Sequence, residues 1–195
     1  MTKSIKSLVV FCLLLGAFSL SAQTTNGKLS FSAGIGVLPT FLNDDVSVNT
    51  PPVSIRLAYQ ASPIFQLSGY AGYTASTSNS PFIISDGQSS LISNKQLLVG
   101  LRGELRKEVG KKFDVYGGGM LGFLHSSTRE FDKNTNETIV REIDGPTPYD
   151  PNQPKGRFNY SGFVGTTYYF TKGVGIFAEA GYGVSLLNTG VTIKL

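Results

Sequence analysis

Gln96-Leu97-Leu98-Val99-Gly100-Leu101-Arg102-Gly103-Glu104-Leu105-Arg106 sets Leu97, Val99, Leu101, Gly103 and Leu105 against Gln96, Arg102, Glu104 and Arg106. A period of two puts the first set on one face of a β-strand and the second on the other. The same rhythm recurs at Leu29–Val37, Val53–Gln60, Phe65–Tyr73, Phe113–Phe123, Phe158–Phe170 and Val174–Val184, and closes in a short run at Val191–Leu195. That makes eight strands. The expected architecture is all-β, an eight-stranded antiparallel up-and-down barrel.

The prolines mark the boundaries. A proline cannot donate to a ladder, and all nine, including Pro39, Pro51, Pro52 and Pro63, fall between the runs as read here. Short connections are expected near 61–64, 107–112 and 171–173, and longer ones over 38–52, 76–94 and 125–156. The connection at 185–190 is short where the alternation calls for a long one. The eighth strand reaches spanning length only by borrowing from Leu186–Thr189. Short turns at one end and long loops at the other describe a transmembrane barrel of the bacterial outer membrane.

The N-terminus supplies the compartment. Lys3 and Lys6 precede an apolar stretch, Leu8–Leu15, extended by Gly16, Ala17 and Phe18, with Ser19, Ser21 and Ala22 following. This is the layout of a cleaved signal peptide. The stretch is too short for a membrane helix, which needs about 20 apolar residues. The expected organisation is a signal peptide at 1–22 and a barrel domain at 23–195, with cleavage after Ser21 or Ala22. The one cysteine, Cys12, leaves with the leader, so no disulfide framework exists. No later segment is apolar enough for a spanning helix. The net charge of +4, without a basic tract, gives no reason to expect nucleic acid.

Which face meets lipid follows from the small residues and the aromatics. Gly34, Gly36, Gly118, Gly165, Gly181 and Gly183 share the polar face, as the crowded inside of a narrow barrel requires. Tyr59, Tyr73, Phe113, Phe123, Phe158, Tyr168 and Phe170 lie near strand ends on the apolar face, where interfacial girdles sit. Arg56, Arg102, Glu104 and Glu179 then point inward at similar heights. Charges in such a lumen must be paired, so Arg–Glu pairs among these four are expected. Tyr70, Tyr116, Met120, Phe163, Tyr169 and Phe177 share that space, and eight strands leave room only for side chains. A plugged lumen without an open pore is the expectation. The competing reading is a soluble, lipocalin-like barrel carrying a small apolar ligand, with its apolar face inside.

These features, with the closing stretch Phe177–Thr192, resemble the small outer-membrane β-barrel domain family of Bacteroidota, related in architecture to the OmpA transmembrane domain and OmpX. Ser21-Ala22-Gln23 is similar to leader ends in that group. The resemblance implies an integral outer-membrane protein, often without an assigned activity. It also implies contact with outer-membrane lipid and with the barrel-assembly machinery through the C-terminal strand. Members commonly end in an aromatic residue, and this chain ends in Leu195. A monomer with a structural or adhesive role through the 125–156 loop is expected.

Chemistry is sparse. His125 and Ser127, followed by Glu130 and Glu137, are similar to the His–Ser arrangement of lipid A deacylases, where a base activates a serine toward an acyl ester. An ordinary polar strand end is the plainer account. Gly34-x-Gly36, Gly117-Gly118-Gly119 and Gly181-x-Gly183 lack the helix a phosphate loop needs. No His/Cys cluster offers a transition-metal site, Asp44 and Asp45 read as solvated loop acids, and no cofactor is expected.

Overall fold

A computed structural model describes residues 29–40, 46–79, 90–133, 135, 137–139 and 156–195. They form β1 (Leu29–Gly36), β2 (Val46–Gln60), β3 (Phe65–Asn79), β4 (Ser90–Val109), β5 (Phe113–Asp132), β6 (Gly156–Tyr169), β7 (Val174–Gly181) and β8 (Leu187–Lys194). Each strand is antiparallel to the next, and β8 closes onto β1. The fold is the expected closed eight-stranded barrel. The expected leader at 1–22, with Cys12, and Asp44 and Asp45 lie outside the described residues.

Alternation turns the molecule inside out relative to a soluble protein. Leu101 is 73% exposed on the wall, while its neighbour Arg102 is 4% exposed inside. Val99, Leu121, Val164 and Ile176 share the outer wall, and Ser32, Gln66 and Thr192 are buried within. Apolar surface on this scale is stable only where lipid replaces water. The lipocalin-like alternative needs the reverse arrangement, which the exposed apolar wall and buried polar interior contradict.

Strand ends depart from the sequence reading in both directions: β7 stops at Gly181, short of the expected Val184, because the chain turns there, while other strands run on. The segments 46–52, 76–79, 90–94 and 125–132, expected in loops, are ladder. Ser, Thr and Asn dominate them, and above the lipid neither face needs an apolar set, so the period-two signal disappears. Pro51 and Pro52 lie inside β2, contrary to their expected place in a loop. Without N–H groups they break the ladder, and the β2–β3 register shifts between Val48 and Thr50 and again between Thr50 and Val53.

The wall is therefore uneven. Among the described residues, ladder pairs between β4 and β5 continue to Ser90↔Asp132, those between β5 and β6 are described as far as His125↔Gly156, and β6–β7 ends at Phe163↔Gly181. At the opposite end the turns are tight. Gly110, at φ +72°, supplies the left-handed residue of the β4–β5 turn. Beyond β7, the 182–186 turn folds Val184 into the lumen. Ser185 Oγ accepts from the Leu38 amide at 3.2 Å and lies 2.8 Å from the Leu38 carbonyl oxygen, tying this turn to the end of β1.

Candidate functional site

The lumen is the candidate site. Inward positions of β2, β4, β5, β7 and β8 bring seven charges together: Arg56, Arg102, Arg106 and Lys194 with Glu104, Asp114 and Glu179. Glu104, wholly buried, accepts from Arg56 at 3.1 Å and from Arg106 at 2.9 Å, one on each oxygen. Arg102 donates to Glu179 at 2.7 Å, and Arg56 lies 3.7 Å from the same carboxylate. Asp114 accepts from Arg106 at 2.9 Å and has Lys194 3.8 Å away.

Aromatic faces hold the cations on their other sides. The Arg102 guanidinium sits 3.6 Å from the Phe163 centroid, Arg106 lies 4.8 Å from Tyr116, and Lys194 Nζ lies 3.9 Å from Tyr169. Ring quadrupoles stabilise desolvated cations, which suits a cluster of four cations and three anions. Small polar groups complete the layer. Arg56 also donates to Ser32 at 3.3 Å, and Gln66 donates to Ser30 at 3.1 Å.

Above the charges lies an apolar layer of Tyr70, Leu98, Met120, Leu124, Phe163 and Val184. Between the layers a cavity of about 20 Å³, bordered by Arg102, Glu179, Tyr70 and Asn188, has room for roughly one water. Toward the short turns the barrel opens into a vestibule of about 540 Å³ bordered by Gln66, Arg106, Asp114, Tyr169 and Lys194.

The four lumen residues singled out in the sequence thus lie in one network. Arg106, Asp114 and Lys194 complete it, and the sequence contained their signal. Arg106 shares the parity of Glu104 two residues away, and Asp114 lies one diagonal from Arg106 across the β4–β5 turn. Among the described residues no group of three or more His, Cys, Asp or Glu side chains could hold a metal ion.

His125 and Ser127 are not brought into a dyad. Both lie on the outward parity of β5, but Ser127 faces Lys95 and His125 faces Leu97 and Gly156. No hydrogen bond joins them among the described residues. Glu130 belongs to the opposite parity and is wholly buried, and Glu137 is exposed beyond the end of β5.

No curated protein matches the chain. Among solved structures, the chain is similar to the outer membrane protein OprG of Pseudomonas aeruginosa. The identity is 11%, the TM-score 0.54, and the match covers 87% of this chain and 96% of that one. It is also similar to the N-terminal β-barrel domain of Pseudomonas aeruginosa OprF (12% identity, TM-score 0.44, covering 88% and 98%). A third match is Ail, the attachment invasion locus protein of Yersinia pestis (11%, TM-score 0.44, covering 86% and 93%). At such identities the OprG match speaks for the fold alone. The model of the outer membrane protein beta-barrel domain matches residues 10–193. The chain belongs to the outer membrane protein β-barrel domain family.

Proposed function

We propose that the protein is a monomeric outer-membrane barrel with a closed lumen, which holds its long-loop end outside the cell in a structural or adhesive role. The observation that carries this reading is the stacking of two filled layers across a narrow lumen. Ion pairs centred on Glu104 and Glu179 lie beneath the apolar layer around Leu98 and Leu124. A permeant ion would have to break pairs whose partners are already desolvated, at a cost of several kcal/mol for each ion left uncompensated. The extended β2–β5 wall supports the second half of the reading, because it carries backbone well beyond the lipid belt toward the 125–156 region.

Planar-bilayer recording tests the closed lumen. Purified protein that migrates as a folded, heat-modifiable barrel should give no steady conductance. Large, steady channels from the same preparation would refute the closed reading. For adhesion, cells expressing the full chain should attach better to a host-cell or glycan-coated surface than cells whose 134–155 segment is replaced by a Gly/Ser linker. Equal attachment would remove the adhesive role.

A further inference from the structure

Along the wall toward the long-loop end, the outward residues of β4 and β5 change character abruptly. On β4 the series Leu105, Gly103, Leu101, Val99, Leu97 gives way to Lys95 and Ser93. On β5 the series from Phe113 to Phe123 gives way to His125, Ser127 and Arg129. Lys95 stands opposite Ser127, Ser93 opposite Arg129, and Leu97 opposite His125. Lys95 therefore has Arg129 on one diagonal and His125 on the other, each roughly 7 Å away on the same face.

These three side chains are exposed. Among the described residues none of them has a hydrogen-bond or ion-pair partner, whereas Arg56, Arg102 and Arg106 in the lumen are all paired. Among the described residues no acid flanks them in register. The neighbouring outward positions are Tyr73, Ala75 and Thr77 of β3 and Gly156 of β6, while Glu130 and Asp132 have the opposite parity.

Height identifies the ligand. From Phe113 to Phe123 the strand covers about 34 Å, or about 26 Å of wall at the usual tilt, which matches an apolar band of ~25 Å. Lys95 and His125 are the first outward residues past that band on their strands, at the depth of lipid headgroups. An arginine fork and a lysine point charge suit phosphate oxygens, and the Ser93 and Ser127 hydroxyls add donors. Leu97, Val99 and Phe123 directly below, all exposed, offer a surface for acyl chains of the same molecule. A free phosphate would leave that surface unused.

We propose that Lys95, Arg129 and His125 form a binding site for the phosphate-bearing headgroup of an outer-leaflet glycolipid. The assignment of leaflet rests on the proposed function, in which the long-loop end faces outward. The binding chemistry itself can be read in detergent, where orientation plays no part.

The test uses the full chain in dodecyl maltoside with bisphosphorylated lipid A as probe, read by native mass spectrometry and by amide shifts at 93–97 and 125–129. The wild type should retain the lipid, and K95Q/R129Q should weaken retention by about tenfold or more. The variant K111Q/K112Q, which loses equal charge at the other end, should retain it like the wild type. Glycolipid stripped of phosphate should not be held. Should K95Q/R129Q lose heat-modifiable migration, salt gives an independent reading, and about 0.5 M NaCl should release lipid from the wild type. Equal retention by a folded K95Q/R129Q, equal retention of the phosphate-free glycolipid, or retention insensitive to salt would overturn the site. Inorganic phosphate alone giving the same amide shifts would overturn the lipid assignment. Labelling of a K133C variant on whole cells reports orientation separately, so an inverted barrel and a missing site give different results.

Discussion

Arg56 of β2 reaches past β3 to donate to Glu104 of β4 at 3.1 Å. With Arg106 on its other oxygen, Glu104 is a wholly buried anion that two strands share. Glu104→Gln keeps the shape and removes the charge, leaving Arg56 to Glu179 and Arg106 to Asp114. The expected cost is about 3 kcal/mol or more, because desolvated cations lose their compensation. Urea titration followed by the folded-to-unfolded gel shift measures it, and an unchanged midpoint would show that the pairs contribute nothing net.

Adjacent glycines on β5 should respond oppositely to a methyl group. A Cβ at Gly118 would press on the Gly103 carbonyl oxygen and lie 2.8 Å from Glu104 Cα, both backbone atoms that cannot swing aside. A Cβ at Gly119 meets only Ser161 O, at 3.7 Å. Gly118→Ala should cost about 1–3 kcal/mol or prevent closure. Gly119→Ala should be neutral or stabilising by up to about 1 kcal/mol. Refolding yield into lipid vesicles, scored by gel migration, separates the two.

Leu98, with no exposed surface, stands opposite Leu124 in the apolar layer. Leu98→Ala should cost about 2–5 kcal/mol through the cavity it leaves. The ion-pair layer beneath is untouched, so bilayer recordings of this variant should stay as silent as those of the wild type. Channels appearing in Leu98→Ala would mean that the apolar layer alone closes the lumen.

Replacing His125 by Ala should leave the acylation of outer-membrane lipid A unchanged, since Ser127 faces Lys95 and shares no hydrogen bond with the imidazole among the described residues. Mass spectrometry of lipid A from cells carrying either form decides this. A loss of acyl-chain removal in the variant would restore the esterase reading.

The fold was legible wherever lipid lay on one side and a crowded lumen on the other, since the two environments write opposite demands on alternate residues. Leu101 and Arg102 are an example. The lumen charges were legible by the same rule, because Arg56, Arg102, Glu104 and Glu179 share one parity and a narrow range of heights. The rule fails beyond the lipid. Ser76, Ser78, Ser90 and Asn94 sit in ladders that no alternation announces, and Pro51 and Pro52 sit in a strand from which proline is usually barred. Val184 was equally hidden, because its burial depends on the β7–β8 turn bending inward, a tertiary fact that the local sequence does not encode.

The step in the wall, tall at β3–β5 and low at β7, β8 and β1, gives the molecule a front and a back in the plane of the membrane. Among the described residues, a neighbour arriving from the front meets ladder that stands above the apolar band, and one arriving from the back meets ladder that ends near it. In a two-dimensional crowd the described ladder is therefore directional, with backbone standing above the apolar band on one side of the barrel.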